Sequence, residues 1–269
     1  MIGVFDSGFG GLTVLKSIVA ELPEYDYLYL GDNARAPYGD RSERIVYEFT
    51  KQAVAFLFRE GCPLIITACN TVSARALRKI QQEYLPMTYP ERRVLGVVRP
   101  SAEEVVERTA SNKVGLLATE RVVASQAYIR EISKLNNSID IFQQACPLLV
   151  PIIEAGEQDW EGTEMIVRRY LKELFDQGQD IDTLLLACTH YPILCRMFER
   201  HVPTDVTIFE QGYIVAKKLN DYLLRHPEIE GRLAKGSTRV FLTTDVSERF
   251  DRMARGFYGQ PIQSKLVAL

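Results

Sequence analysis

Short apolar runs alternate along this chain with longer stretches of helical period, and that alternation restricts the fold more than any other feature. The runs Ile2–Phe5, Tyr27–Leu30, Leu64–Ala68, Val94–Val98, Val114–Ala118, Ile139–Gln143, Thr183–Ala187, Val206–Phe209 and Arg239–Thr243 read as strands. Between them, Leu12–Glu21, Ser42–Glu60, Val72–Tyr84, Ser101–Thr109, Val122–Lys134, Gly162–Gln177 and Gln211–Arg225 read as amphipathic helices. Strands that are apolar at successive positions are buried on both faces, as in parallel sheets covered by helices. The pattern therefore predicts an α/β fold with mainly parallel sheets. Joins such as Glu60-Gly61-Cys62-Pro63 are short, as compact α/β units require. A chain of 269 residues supplies one large domain or two of ordinary size.

Two strands end alike. Leu64-Ile65-Ile66-Thr67-Ala68-Cys69-Asn70-Thr71 and Leu184-Leu185-Leu186-Ala187-Cys188-Thr189-His190 each deliver a cysteine to the carboxyl end of an apolar run. Open α/β sheets build their sites outside those ends, so the likeness suggests two similar lobes and a pair of thiols facing each other across a cleft. The five cysteines, Cys62, Cys69, Cys146, Cys188 and Cys195, are odd in number and contain no Cys-x-x-Cys spacing. That argues against a disulfide framework and, with three histidines in the chain, against a structural zinc site. Cys62, Cys146 and Cys195 read as small buried hydrophobes. A formal charge of -3, with 46% apolar and 25% charged residues, excludes a strongly basic nucleic-acid binder and fits a soluble domain. No apolar run is long enough to span a bilayer. The opening Met1–Asp6 carries neither a basic region nor a cleavage site, which predicts a cytoplasmic chain without a membrane partner.

Three loops accompany the thiols. Asp6-Ser7-Gly8-Phe9-Gly10-Gly11 follows the first strand and leads into a helix. Its glycines suit either a plain tight turn or a backbone cradle for a carboxylate or phosphate. It matches neither the dinucleotide nor the Walker fingerprint. Asp6 is either a cap for this turn or a carboxylate that tunes Cys69. The second loop, Gly31–Ser42, is polar, contains Pro37-Tyr38-Gly39 and ends at a helix cap, Ser42. The third is Asn70-Thr71, with its counterpart Thr189-His190-Tyr191-Pro192, where Pro192 suits a first helical turn. Both thiols then lie beside helix amino ends, where the field favours thiolate. A cysteine titrates near about 8.5 when unperturbed, so a modest depression makes a base at neutral pH. His190 is either a satisfied structural residue or a group that orients or protonates a substrate or tunes the Cys188 thiol.

Four segments, Asp6–Val14, Gly31–Gly39, Ala68–Ala74 and Ala187–Pro192, together with Pro147–Glu154, closely resemble bacterial glutamate racemases of the aspartate/glutamate racemase family. The resemblance implies cofactor-independent interconversion of L- and D-glutamate, feeding peptidoglycan synthesis. It implies two α/β lobes related by a pseudo-twofold axis, with the active site in the cleft between them, and a homodimer. The first lobe would comprise residues 1–95 and 207–269, the second 96–206. By the same resemblance Cys69 and Cys188 exchange the α-proton on opposite faces, since two fixed bases on opposite walls divide an inversion that one would have to move to accomplish. Asp6, His190 and Glu154 match supporting acid–base positions. Ser7, Pro37, Tyr38, Gly39, Asn70, Thr71, Thr119 and Thr189 match substrate-holding positions, with Asp6 and His190 beside them, acting through hydroxyls, amides and backbone N–H groups.

The chain departs from the pattern in three places. Val122 stands where a second threonine is common, Arg99 where glutamate is frequent, and Phe209-Glu210-Gln211-Gly212 replaces a commoner Ser-Gly. Loss of one donor to a buried carboxylate costs about 1–3 kcal/mol. The alternatives are therefore a racemase of another acidic amino acid such as aspartate, or a racemase-like binding or regulatory protein. A hydrolase built on Cys188 and His190 would leave Cys69 without a task.

Overall fold

The computed structural model describes residues 1–269, the side chain of Ser247 excepted. The chain forms two compact units, one of Met1–Val97 with Gly212–Leu269 and one of Val98–Gln211. The first holds strands β1 (Ile2–Asp6), β2 (Tyr27–Gly31), β3 (Leu64–Thr67), β4 (Arg93–Gly96), β9 (Arg239–Thr243) and β10 (Ser264–Leu266). They form one parallel sheet in the order β10-β9-β2-β1-β3-β4. Every residue of β1, β2 and β3 is buried, which is why these segments carry no alternation.

Successive side chains still serve different layers. Phe5, Leu28, Leu30 and Ile65 join one core with Val46, Ala53, Val54, Leu57 and Phe58 of the helix Glu43–Arg59. Tyr29, in the alternate register, meets Phe250 of the helix Ser247–Tyr258, with ring centroids 6.1 Å apart. Each fully buried Leu, Ile or Phe contributes about 1.5–3 kcal/mol. Ser42 caps the helix Glu43–Arg59 as expected, its side chain accepting from the Ile45 N–H at 3.4 Å.

The second unit holds β5 (Lys113–Ala118), β6 (Asp140–Ala145), β7 (Thr183–Ala187) and β8 (Thr207–Glu210), all parallel, in the order β6-β5-β7-β8. Taken in chain order, these four repeat the arrangement of β2-β1-β3-β4. Cys69 follows the third strand of its set and Cys188 the third strand of the other. The helix Glu161–Phe175 buries Val167, Tyr170, Leu171 and Leu174.

Several expected elements shift. The strand expected at Val94–Val98 ends at Gly96, where a Cβ would lie 2.3 Å from Leu77 Cδ2, and Val98 already begins the helix Val98–Arg108. The helix expected over Val72–Tyr84 is broken into Asn70–Arg75, Leu77–Lys79, a π-turn at Ile80–Tyr84 and Leu85–Thr88. Pro86 has no N–H for a helical ladder, and the wider π-turn keeps Leu77, Ile80 and Leu85 buried. The helix expected over Val122–Lys134 divides at Gln126, whose φ of 55° is left-handed. Strand β8 pairs with β7. Residues 207–211, expected with the first lobe, thus fall in the unit Val98–Gln211.

Candidate active site

In the first unit, Phe5 lies opposite Thr67 and Asp6 opposite Gly31. Asp6, the Gly31-Asp32 pair and Ala68-Cys69 therefore occupy neighbouring carboxyl ends. Cys69 caps the short helix Asn70–Arg75 in extended conformation, its carbonyl accepting from Ser73 N–H at 2.9 Å. Ser7 Oγ lies 3.4 Å from Cys69 Sγ. Asp6 is buried and accepts the Gly8 N–H at 2.9 Å, so the turn-cap role is realised. Tyr29 Oη donates to the Gly8 carbonyl at 2.9 Å and fixes the same loop from below. Gly11 is required here: a Cβ would sit 2.4 Å from Asp6 Cβ and 3.1 Å from Ala68 Cβ. Asn70 and Thr71 are buried at the first turn after the thiol.

The Gly31–Ser42 loop is organised by Asp32, a fully buried carboxylate. It accepts from Arg35 Nε at 2.6 Å, from Thr244 Oγ1 at 2.8 Å and from the hydroxyl of Tyr38. Tyr38 is buried against Phe5 and Phe49. Burial, reinforced by Asp32, pushes its phenol far above the ordinary range. The hydroxyl donor of Tyr38 is committed inward, and its carbonyl accepts the Arg41 N–H at 3.1 Å. Pro37, joined to Ala36 by a cis peptide, is exposed, and Gly39 faces open space where a Cβ would stand.

In the second unit, Ala118 lies opposite both Ala145 and Ala187. Thr119, Cys146 and Cys188 consequently follow three neighbouring strand ends. After Cys188 the chain turns at once. Tyr191 N–H donates to the Cys188 carbonyl and Ile193 N–H to that of His190, each at 3.1 Å, and a 3-10 turn spans Tyr191–Leu194 with Pro192 in its first positions. Cys188 Sγ lies 3.9 Å from His190 Nδ1, and His190 Nε2 lies 2.9 Å from Oε1 of Glu154, the last residue of the helix Leu149–Glu154. Burial disfavours a charged imidazole. The hydrogen bonds and charges of Cys188 and Glu154 outweigh it and raise His190 to about 10. Thr189 is buried beside it.

Thr119 serves as a helix cap: its hydroxyl accepts the Val122 N–H at 3.4 Å. The Val122 side chain is fully buried, so this position belongs to the core of its unit. Arg99 is a surface residue paired with Glu103 at 2.8 Å and Glu131 at 3.4 Å. Gln211 is buried, its amide donating to Ser101 Oγ at 2.9 Å and Tyr128 Oη at 2.6 Å. Cys62 and Cys146 are buried outright. Burial raises the thiol of Cys62 to about 11, and burial next to Cys188 carries that of Cys146 higher still. Cys195 is half-buried, and burial with the carboxylates of Glu210 and Glu199 raises it as well. Among the described residues no cluster of three His, Cys, Asp or Glu side chains could hold a metal ion, and no helix is long and apolar enough to cross a membrane.

Sequence reasoning missed Asp32, Arg35 and Thr244. The first two lie inside a loop that was singled out, whereas Thr244 is brought to them only by the pairing of β2 with β9.

Two α/β units share the same four-strand order, and each carries a cysteine just beyond its third strand. Residues 2–217 match the family described as Asp/Glu/hydantoin racemase. A glutamate racemase of Paracoccus denitrificans is 39% identical over 97% of this chain and 98% of its own length. The solved glutamate racemase isoform RacE1 of Bacillus anthracis superposes with a TM-score of 0.90 at 32% identity, covering 100% of this chain and 97% of that one. The glutamate racemase of Francisella tularensis, solved in complex with D-glutamate, gives 0.87 at 31% identity, covering 99% of this chain and 97% of that one. The chain belongs to the Asp/Glu/hydantoin racemase family and is an amino-acid racemase.

Proposed function

We propose that this racemase interconverts L- and D-glutamate by proton transfer between Cys69 and Cys188, and that its product is the D-glutamate used for peptidoglycan. The thiolate of one cysteine removes the α-proton and the thiol of the other returns a proton to the opposite face. The enzyme's proton count is unchanged, the configuration is inverted, and the roles exchange in the reverse direction. The observation that carries the reading is the series Cys188–His190 after β7 with Glu154 from the helix Leu149–Glu154, matched by Cys69 after β3 with Ser7 after β1. A protonated His190 held by Glu154 stabilises a Cys188 thiolate and can return its proton. Asp6 stands as the carboxylate at the Cys69 end. Ser7, Asn70, Thr71, Thr119, Thr189 and the backbone of Pro37, Tyr38 and Gly39 are assigned to holding the two substrate carboxylates, with neutral donors doing most of the work. The proposed state of assembly is a homodimer, which sedimentation velocity measures.

The test is racemisation in deuterated water from each enantiomer, without added pyridoxal phosphate or metal, alongside aspartate as a competing substrate. Deuterium is expected in the product enantiomer. Replacing Cys69 or Cys188 by alanine should abolish racemisation. A single-cysteine variant with wild-type turnover would refute the two-thiol mechanism.

A further inference from the structure

We propose that Thr244, acting through Asp32, is a positioning residue that locks the loop presenting Pro37, Tyr38 and Gly39 to the substrate. The inference rests on the glutamate reading above for its kinetic consequence, and on the geometry of the first unit alone for its structural one. Between Asp32 and Ser42, Asp32 and Tyr38 are the two buried residues, and the rest of the loop is half-buried or exposed. A segment with so little apolar burial needs polar anchorage to hold one conformation. That anchorage converges on Asp32.

One carboxylate oxygen accepts from Arg35 Nε and Tyr38 Oη, both inside the loop. The other accepts from Thr244 Oγ1 at 2.8 Å, which lies just beyond β9. Thr244 also accepts the Ala34 N–H at 3.1 Å, so a single hydroxyl donates to the keystone and receives from the loop backbone. Its own N–H donates to the Gly31 carbonyl at 3.1 Å. Next to it, Thr243 Oγ1 lies 3.2 Å from Asn33 Oδ1 and accepts the Asp245 N–H at 3.3 Å. The pairing of β2 with β9, with Gly31 opposite Thr243, sets this register. Tyr38 turns its hydroxyl donor inward to the same carboxylate and its carbonyl accepts the Arg41 N–H at 3.1 Å, which ties the backbone of residues 37–39 to the anchor. Anchorage at Asp32 then fixes where that backbone stands. Loosening it lowers the population of the binding-competent loop without touching the proton-transfer groups, which raises KM by the reciprocal of that population.

The experiment compares Thr244→Val, which keeps the shape and removes the hydroxyl, with Thr244→Ser, which keeps the hydroxyl. Thr244→Val is expected to raise the KM for both enantiomers on the order of tenfold, the effect of losing one hydrogen bond to a charged group, with kcat within about twofold. Thr244→Ser should restore KM. Asp32→Asn is a second variant with the same expected direction should the valine protein not fold. Hydrogen exchange of the amides of residues 33–41 should quicken in Thr244→Val and not in Thr244→Ser. A fall in kcat at unchanged KM, or failure of serine to rescue, overturns the positioning role. If the wild-type chain racemises neither glutamate enantiomer, the glutamate reading fails, and unchanged exchange in Thr244→Val overturns the loop assignment on its own.

Discussion

The proton on His190 is the most exacting test of the second unit's corner, and Glu154→Gln is the perturbation that isolates it. His190 is buried, and burial by itself opposes the imidazolium. The partners that overcome it are Cys188 at 3.9 Å and Glu154 at 2.9 Å, and together they hold the ring's pKa at about 10. The glutamine variant keeps an oxygen acceptor for Nε2 and removes the charge. A hydrogen bond to a charged group is worth about 1.5–3 kcal/mol and a neutral one about 1. The difference, about 0.5–2 kcal/mol, converts at about 1.4 kcal/mol per pKa unit to a fall of about half to one and a half units. His190 in Glu154→Gln should therefore titrate below its value in the parent, still above the unperturbed value of about 6.5 because Cys188 remains.

The sign for stability follows from the raised folded-state value. Protonated His190 stabilises the fold fully below about pH 6.5, and that contribution disappears as pH rises through about 10 in the parent and through the lower value in the variant. The variant's deficit should thus be largest in mildly acidic solution and shrink in alkaline solution. The chain has three histidines, so heteronuclear NMR of the imidazole carbons, assigned with His201→Asn and His226→Asn, follows the titration directly. An imidazole that titrates near 6.5 in the parent, or one unmoved by Glu154→Gln, would refute the charge relay.

Two further substitutions separate structural from chemical roles. Gly11→Ala places a Cβ 2.4 Å from that of Asp6, and overpacking of this kind is expected to cost about 1–3 kcal/mol in urea denaturation. It should also depress racemisation, because the displaced residue is Asp6; a variant with unchanged stability would show that the loop yields freely. Val122→Thr supplies the threonine that the family resemblance leads one to expect but inserts a hydroxyl at a fully buried site, which should cost about 1–3 kcal/mol and leave the KM for glutamate unchanged. A lowered KM would place this side chain at the substrate after all.

The central strands were legible because burial on both faces writes itself as uninterrupted apolar sequence: β7 was expected at Thr183–Ala187 and runs there. The strand β10, Ser264–Leu266, carried no such mark, since it has three residues and two of them are exposed at a sheet edge. The helix Ser247–Tyr258 was overlooked although its buried Phe250, Ala254 and Phe257 recur at helical spacing, because charged residues fill the intervals. At the site, groups delivered by the ends of apolar strands were found, and those brought in by the pairing of β2 with β9 were not. Cys188 and His190 stand two residues apart, and Glu154 came from the family resemblance alone. Thr244 reaches Asp32 across 212 positions through strand pairing, which no local pattern encodes.

The repeated strand order also explains why the two thiols are alike in placement and unlike in company. Each follows the third strand of a β2-β1-β3-β4-type set, so the backbone delivers both to the same kind of corner. The neighbouring first strand ends in Asp6-Ser7 in one unit and Ala118-Thr119 in the other. Cys69 accordingly has a hydroxyl at 3.4 Å, and a carboxylate one residue before that serine, whereas Cys188 receives its partner from its own turn as His190 and, behind it, Glu154. Glu154→Gln therefore perturbs the Cys188 end and leaves the Ser7–Cys69 contact in place. Single-turnover exchange in deuterated water, begun from each enantiomer in turn, should show the two directions slowed unequally by Glu154→Gln; equal slowing would refute the assignment of His190 and Glu154 to the Cys188 end.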